Sequence, residues 1–389
     1  MSLNDFIMGN KLGKGAFGTV TIVTRKADGK VYAMKRVNIG KMDMKEREAA
    51  LNEIRILASL SHPNIVGYKE AFFDEPSKTL NIVMEYADDG DIDHKIKDNI
   101  KKRLRFEEST IWNWIIQLFE GLKYLHDNKI MHRDLKSANI FLMKNGVLKI
   151  GDLNVSKLAK NNMARTQTGT PFYLAPEIWK DLPYDYKCDI WSVGCIIYEL
   201  CTSSPPFRGT SMKELMHNVM TGFYLPIPNT FSNEIRQLVS MMLVVDPKRR
   251  ASTYDILNCS IIQNKIKNSK NNIINQVIQS DSNKKHANLI KTIKLPKNLH
   301  DINNALPKKR YEEKMMENDP YENMKKTYME TIKKEGNNPQ NVIINPAQRV
   351  NQEIVNNKQQ KYVGNLQEIK EESNKYANLM IYSIAKSIS

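Results

Sequence analysis

Within the eight residues His132-Arg133-Asp134-Leu135-Lys136-Ser137-Ala138-Asn139 stands every side-chain type needed to move a phosphoryl group onto a hydroxyl. Asp134 could accept or orient the hydroxyl proton, Lys136 could neutralise charge on the γ-phosphoryl group, and Asn139 could offer an amide oxygen to magnesium. Thirteen residues beyond Asn139, Asp152 supplies the second hard oxygen ligand that a magnesium pair requires. An isolated Gly-Asp-Leu-Asn run is ordinarily a turn. Here it closes two short apolar runs, 140–142 and 147–150, that read as a strand pair.

A second cluster lies near the N-terminus, in Gly13-Lys14-Gly15-Ala16-Phe17-Gly18-Thr19-Val20. Missing side chains at Gly13, Gly15 and Gly18 let backbone N–H groups approach phosphate oxygens, and Val20 can cover a flat base. Alone, a glycine-rich turn is common punctuation between strands. The next segment gives it meaning: after a turn at Asp28-Gly29, Val31-Tyr32-Ala33-Met34-Lys35 reads as a buried strand ending in a cation suited to the α- and β-phosphates. Glu53 falls on a predicted helix, where it could hold that ammonium in place.

The elements that must position these groups change character along the chain. Residues 19–25, 31–37, 68–74 and 79–85 read as short β-branched strands broken by Gly or Asp-Gly turns. One helix interrupts them over 42–59, with Leu51, Ile54, Leu57 and Ala58 on one stripe. From Asp91 onward helices dominate: 109–127, with Ile111, Ile115, Leu118, Leu122 and Leu125 on one face, then 189–201, 212–220 and 232–244. The expectation is an α+β chain with a small β-rich lobe over about 1–86 and a larger helical lobe over about 87–260.

Composition supports one bilobal unit plus extra chain. Hydrophobic residues make up 41% and charged residues 26% of 389, ordinary globular values. Residues 1–260 hold 36 basic against 30 acidic side chains and residues 261–389 hold 22 against 13, so the tail carries most of the formal +15. Cys188, Cys195, Cys201 and Cys259 show neither a zinc spacing nor a disulfide framework, which points to a reducing intracellular compartment. The first residues lack the basic and apolar regions of a leader, and no run of about 18 apolar residues occurs. Neither secretion nor a transmembrane segment is expected.

The ordered set from Gly13 to Ala175-Pro176-Glu177 resembles the eukaryotic protein kinase family over about two-thirds of the chain. That resemblance implies the bilobal protein kinase fold, ATP as phosphoryl donor, Mg2+ (with Mn2+ as a substitute) and protein acceptors. Asp189-Ile190-Trp191-Ser192-Val193-Gly194 resembles the family's buried helix that anchors the catalytic loop, and Arg250 matches the arginine that pairs with Glu177. Lys136 and Gly169-Thr170-Pro171 are similar to serine/threonine rather than tyrosine kinases. Finer marks resemble the NIMA-related (Nek) group: His62-Pro63-Asn64-Ile65-Val66, Val83-Met84-Glu85-Tyr86-Ala87-Asp88-Asp89-Gly90-Asp91 and Gly169-Thr170-Pro171-Phe172-Tyr173-Leu174. By that resemblance Met84 is the gatekeeper, Glu85 and Ala87 offer backbone groups to adenine, Asp91 approaches the ribose and Phe141 lies beneath the base.

One departure stands out: the family's Asp-Phe-Gly is here Asp152-Leu153-Asn154. Leucine is familiar at that place in the Nek group, and Asn tolerates left-handed backbone better than other non-glycine residues. The expected effect is on switching between active and inactive arrangements, with the metal ligand intact. Arg133 beside Asp134 implies control by phosphorylation of the activation loop. Thr166 is where Nek-type loops carry their activating site, Thr168 is a nearer alternative, and Thr170 is expected to hydrogen-bond within the catalytic loop. Val155 occupies the place whose β-branching goes with threonine acceptors in the family.

After Asn258 the composition shifts to Asn, Lys, Gln and Ser with scattered Pro, which predicts a low-complexity basic linker over 261–348 that is largely disordered. Val355, Tyr362, Ile369 and Tyr376 recur every seven residues within 349–389, as in a coiled coil or an amphipathic partner-binding helix. Lys308-Lys309-Arg310 reads as a solvated run without the interleaved aromatics of a nucleic-acid platform, so no specific nucleic acid is expected. The Nek resemblance implies cell-cycle, microtubule or ciliary work and a cytoplasmic, cytoskeletal or ciliary address, with nuclear targeting left open. The competing reading is a catalytically weak kinase-like scaffold that binds partners through its helical lobe and basic tail.

Overall fold

The computed structural model describes residues 2–14, 18–153, 171–268 and 290–311, the last run without 291, 294 and 297. A five-stranded antiparallel sheet comes first, built from β1 (Phe6–Lys14), β2 (Gly18–Arg25), β3 (Val31–Asn38), β4 (Tyr68–Asp74) and β5 (Thr79–Glu85) in the order β1-β2-β3-β5-β4. The four expected strands lie within a residue of their predicted bounds. β1 is an addition to them: Ile7, Met8 and Leu12 on this edge are exposed and Gly9 and Gly13 interrupt the run, so no alternating pattern marks it.

Gly18 is required by the sheet as much as by any ligand. A Cβ there would lie 1.8 Å from the Arg36 carbonyl oxygen on β3, closer than any side chain permits, so only glycine lets β2 and β3 pair at this point.

Helix α1 (Met44–Ser59) lies between β3 and β4 in the chain. Its start is a capping box in which Asp43 accepts from the Glu46 N–H at 2.8 Å and Glu46 accepts from the Asp43 N–H at 3.2 Å. The expected stripe is buried at Leu51, Ile54, Leu57 and Ala58. That burial fixes the rotation of the helix and so the direction in which Glu53 points.

The helical lobe comprises α2 (Ile92–Lys102), α3 (Glu108–Asp127), a two-stranded sheet of β6 (Ile140–Leu142) and β7 (Leu148–Ile150), then α4 (Pro176–Trp179), α5 (Lys187–Thr202), α6 (Met212–Thr221), α7 (Asn233–Met242), α8 (Thr253–Asn258) and α9 (Ser260–Lys267). α3 and α5 form its centre. Ile111, Phe119, Leu122 and Leu125 from the first, and Ile190, Trp191, Val193 and Cys195 from the second, are almost wholly buried. Trp191 stacks on Phe207 with ring centroids 5.1 Å apart. All four cysteines are free, and among the described residues no helix is long and apolar enough to cross a membrane.

The described part of 261–311 departs from a plain linker. α9 continues the helical lobe past residue 260, and the described residues of 290–311 pack against the small lobe, with a 3-10 turn (Leu299–Asp301) and α10 (Ile302–Ala305) near its end. Ile302 is fully buried, while Lys308 and Lys309 are exposed. Arg310 instead donates to the carbonyls of Lys69 and Leu60. Residues 349–389 lie outside the described residues.

Candidate active site

The sheet register puts the nucleotide-facing candidates on one side. Val20 pairs with Lys35, which pairs with Ile82, and Ala33 pairs with Met84. Directly opposed residues share a face and alternate residues on a strand do too, so Val20, Ala33, Lys35 and Met84 form one apolar surface with a cation at its edge. Gly13 pairs with Val20 across β1 and β2. Lys14 lies at the end of β1; Gly15, Ala16 and Phe17 lie outside the described residues.

Lys35 is the meeting point of both lobes. Its Nζ lies 2.8 Å from Glu53 Oε1 and 2.9 Å from Asp152 Oδ1. Burial would lower this ammonium, but Glu53 and Asp152 outweigh it and push the lysine up. Burial likewise raises Asp152, yet Lys35 beside it holds the carboxyl below the ordinary range. At Glu53 burial wins, pushing the carboxyl up against the pull of Lys35. One ammonium set against two carboxylates leaves an excess of negative charge, which a divalent cation at Asp152 would neutralise.

Asp152 sits with φ +54° and Arg133 with φ +66°, left-handed values that cost non-glycine residues free energy and that cluster at functional sites. Gly151 makes the Asp152 geometry accessible: a Cβ there would lie 2.7 Å from the Phe141 ring and 2.8 Å from Val66. Leu153 is buried in the main core, so the aliphatic replacement fills its niche. Asn154 lies outside the described residues.

The catalytic-loop segment is fastened by its backbone. Asp189, fully buried on α5, accepts from the His132 and Arg133 N–H groups at 2.9 Å each and meets His126 Nε2 at 2.9 Å. Burial would raise this carboxyl, but the His126 hydrogen bond leads the effects that hold it low. His132 Nδ1 accepts from the Asp134 N–H at 3.3 Å, so Nε2 is the nitrogen that donates to the Gly151 carbonyl at 2.9 Å. This fixed imidazole ties the Asp134 loop to the Asp152 loop.

Around Asp134 the remaining groups converge. Lys136 Nζ donates to Asp134 Oδ2 at 3.2 Å, and Asn139 Nδ2 donates to the Asp134 carbonyl at 2.8 Å. With its NH2 so committed, Asn139 turns its amide oxygen away from Asp134. The Gly151 N–H donates to the Asn139 carbonyl at 3.0 Å, placing the Asn139 and Asp152 backbones side by side. An amide oxygen and a low-lying carboxylate on adjacent backbones form the hard oxygen set that suits Mg2+. Among the described residues, another group of closely spaced acidic and imidazole side chains is Asp91, Asp93 and His94; Asp91 and His94 already pair with each other there.

Other predicted residues have structural duties that the sequence did not reveal. Asp91 caps α2, accepting from the His94 N–H at 2.9 Å and meeting His94 Nδ1 at 2.7 Å. The Glu85 N–H donates to the Gly67 carbonyl at 2.9 Å, leaving its carbonyl as the backbone group it could offer to a base. The Glu85 carboxylate pairs with Lys149 at 2.9 Å, and although burial raises it, Lys149 brings it low. Ala87 is half-buried in the chain just past β5, and Phe141 bridges to Asp91. Lys149 lies on the strand expected over 147–150, but no spacing in the sequence links it to the distant Glu85. Ser137, Tyr173 and Glu199 form a further chain, with Ser137 Oγ 2.8 Å from the Tyr173 hydroxyl and that hydroxyl donating to Glu199 at 2.6 Å.

Arg133 faces Tyr184, with its guanidinium carbon 5.9 Å from the ring centroid. Thr166, Thr168, Thr170 and Val155 lie outside the described residues. Arg250 meets Glu177 through two parallel hydrogen bonds of 2.7 and 2.8 Å, as the resemblance implies.

A two-lobed chain whose half-buried lysine reaches a helix glutamate and a loop aspartate, beside an Asp-Lys-Asn loop, has the architecture of a protein kinase. Residues 6–262 match the protein kinase domain family, and the chain belongs to that family. Within it the chain is similar to the NIMA-related kinases. It is 42% identical over 258 residues to serine/threonine-protein kinase Nek5 of Homo sapiens, covering 66% of this chain and 36% of that protein. It is 39% identical over 269 residues to the probable serine/threonine-protein kinase nek2 of Dictyostelium discoideum, covering 68% and 64%. Serine/threonine-protein kinase Nek1 of Mus musculus is 39% identical over 266 residues, 68% of this chain and 22% of that protein. The chain thus spans between about a fifth and two-thirds of these relatives' lengths.

Proposed function

We propose that this chain transfers the γ-phosphoryl group of ATP to serine and threonine hydroxyls of proteins. The observation that carries the reading is the single Lys35 ammonium held by Glu53 and Asp152 together, which joins groups from both lobes at one point. In this reading Lys35 binds the α- and β-phosphates, Gly13, Lys14, Gly15, Gly18 and Val20 cover them, and Ala33, Met84, Glu85, Ala87, Asp91 and Phe141 enclose the nucleoside. Asn139 and Asp152 would hold Mg2+, which when bound neutralises charge on the phosphate oxygens.

Asp134 takes the proton from the acceptor hydroxyl as its oxygen bonds to phosphorus and the bond to the ADP oxygen breaks. Lys136, which donates to the Asp134 carboxylate, would neutralise charge on the equatorial oxygens. The intact Lys35, Asp134, Asn139 and Asp152 favour this enzyme over a scaffold. The resemblance to Nek kinases supports a cell-cycle, microtubule or ciliary role in the cytoplasm, and the seven-residue spacing of Val355, Tyr362, Ile369 and Tyr376 supports self-association or a partner helix at 349–389.

Arg133 supports control by loop phosphorylation, since its Nε, buried and without a hydrogen-bond partner among the described residues, is a site for a phosphate oxygen. Incubation of the purified chain with Mg2+-ATP and a generic protein substrate should yield phosphoserine and phosphothreonine, and Thr166→Ala should lower the rate about tenfold or more. Phosphotyrosine as the main product would overturn the acceptor class. Full activity in Thr166→Ala would remove that site from regulation.

A further inference from the structure

Described residues beyond 289 contact the helix that carries Glu53 to Lys35. α1 carries Glu53, and it is tied to other segments near both of its ends. Near its start, Arg47 Nε donates to the Ile39 carbonyl at 2.9 Å. Near its finish, Arg55 Nη1 donates to the Ile290 carbonyl at 2.9 Å, and the Ile290 N–H donates to Ser59 Oγ at 3.0 Å. Glu53 lies two residues from Arg55, so the second anchor is supplied by a segment 235 residues away in sequence.

That segment is itself fastened along β4, the edge strand of the sheet. Asn303 imitates a paired strand there: its Oδ1 accepts from the Phe73 N–H at 2.7 Å and its Nδ2 donates to the Phe73 carbonyl at 3.2 Å. Ile302 beside it is fully buried. The Arg310 N–H donates to the Lys69 carbonyl at 2.8 Å and its guanidinium to the Leu60 carbonyl, just past α1, at 3.1 Å. The strap reaches Tyr311, whose hydroxyl donates to the buried Glu70 at 3.1 Å and whose ring lies 3.6 Å from the Arg25 guanidinium carbon and 5.3 Å from the Tyr32 ring. An open sheet edge and a free helix end are covered at once.

We infer that the described residues of 290–311, through Ile290, Ile302, Asn303, Arg310 and Tyr311, are a built-in activating strap that holds α1 in register so that Glu53 stays on Lys35, with Asn303, Arg310 and Tyr311 as positioning residues. The inference rests on the kinase reading, because it concerns regulation of the same site. A glutamate displaced by about 1 Å no longer orients the lysine, a misplacement that can cost about 10²-fold in rate. Anything that lifts the strap, such as a protein that competes for the β4 edge, would switch the enzyme down without touching the nucleotide.

The test uses the full chain carrying Asn303→Ala with Arg310→Ala, and separately Tyr311→Phe, which removes only the hydroxyl. In the double variant, amides of α1 should exchange with deuterium about tenfold faster while those of α3 and α5 keep their protection. kcat should fall about tenfold, and Tyr311→Phe should shift both in the same direction by a smaller factor. On a Glu53→Gln background the same double substitution should change the residual rate less than about twofold, because the strap acts through that glutamate. Unchanged α1 exchange would overturn the strap whatever the activity, and so would a full further loss on the Glu53→Gln background. Absence of transfer by the unsubstituted chain would defeat the kinase reading, with α1 exchange still deciding the docking of the strap.

Discussion

Asp134→Asn is expected to lower kcat by about 10²- to 10⁴-fold, the usual contribution of a positioned general base, with little change in melting temperature or in KM for ATP. The substitution is close to isosteric. The residue-134 carbonyl still accepts from Asn139 Nδ2 and the backbone N–H still donates to His132 Nδ1, so the loop keeps its shape. What disappears is the carboxylate that holds the Lys136 ammonium and that is proposed to take the hydroxyl proton. An asparagine cannot accept a proton at neutral pH, and it loses the charge that holds Lys136. Steady-state kinetics with a saturating protein substrate, beside a thermal melt, would check this, and a rate close to that of the parent would remove Asp134 from the chemistry.

The largest stability effect is expected at Arg250→Met. Arg250 and Glu177 are both almost wholly buried, and the guanidinium also donates to the carbonyls of Lys187 at 2.7 Å and Val244 at 2.9 Å. Removing it strands the Glu177 carboxylate in the interior, a loss of about 3–5 kcal/mol. At about 2–4 °C per kcal/mol for a domain of this size, the melting temperature should drop by roughly 6–20 °C. Adding Glu177→Leu should recover part of the loss, because a buried pair replaced wholly by apolar groups is often tolerated. Calorimetry that found a drop below about 2 °C would show the pair to be dispensable.

The site was largely legible in the sequence because its chemistry is packed into short contiguous runs. Asp134, Lys136 and Asn139 stand within one loop, and Lys35 lies in an apolar strand that follows the Asp28-Gly29 turn. Helix α1 declared itself through Leu51, Ile54 and Leu57, and Glu53 came with it. Interactions that join distant segments were less visible. No spacing rule connects His132 to the Gly151 carbonyl, or Lys149 to Glu85, and both were found in the fold alone.

The strap was hidden for a compositional reason. Around Ile302 the chain is rich in Asn and Lys, which reads as solvated linker, yet the buried Ile302, the Asn303 amide, the Arg310 guanidinium, the Tyr311 side chain and backbone groups fasten it. β1 escaped for the opposite reason, since beyond the buried Phe6 its apolar side chains Ile7, Met8 and Leu12 are exposed at the sheet edge. Asp91 shows a different limit: its type fits both a sugar contact and a helix cap, and only the fold places it against the His94 N–H.

Metal-dependent transfer through the Lys35 and Asp152 pair is the central claim. The measurement is phosphate incorporation into a generic protein substrate by the purified chain and by Asp152→Ala, titrated with Mg2+ at fixed ATP. Transfer should rise with Mg2+ in the parent and fall to background in Asp152→Ala. Equal transfer by both proteins, or none by the parent even after phosphorylation by an upstream kinase, would contradict the claim and favour a kinase-shaped scaffold.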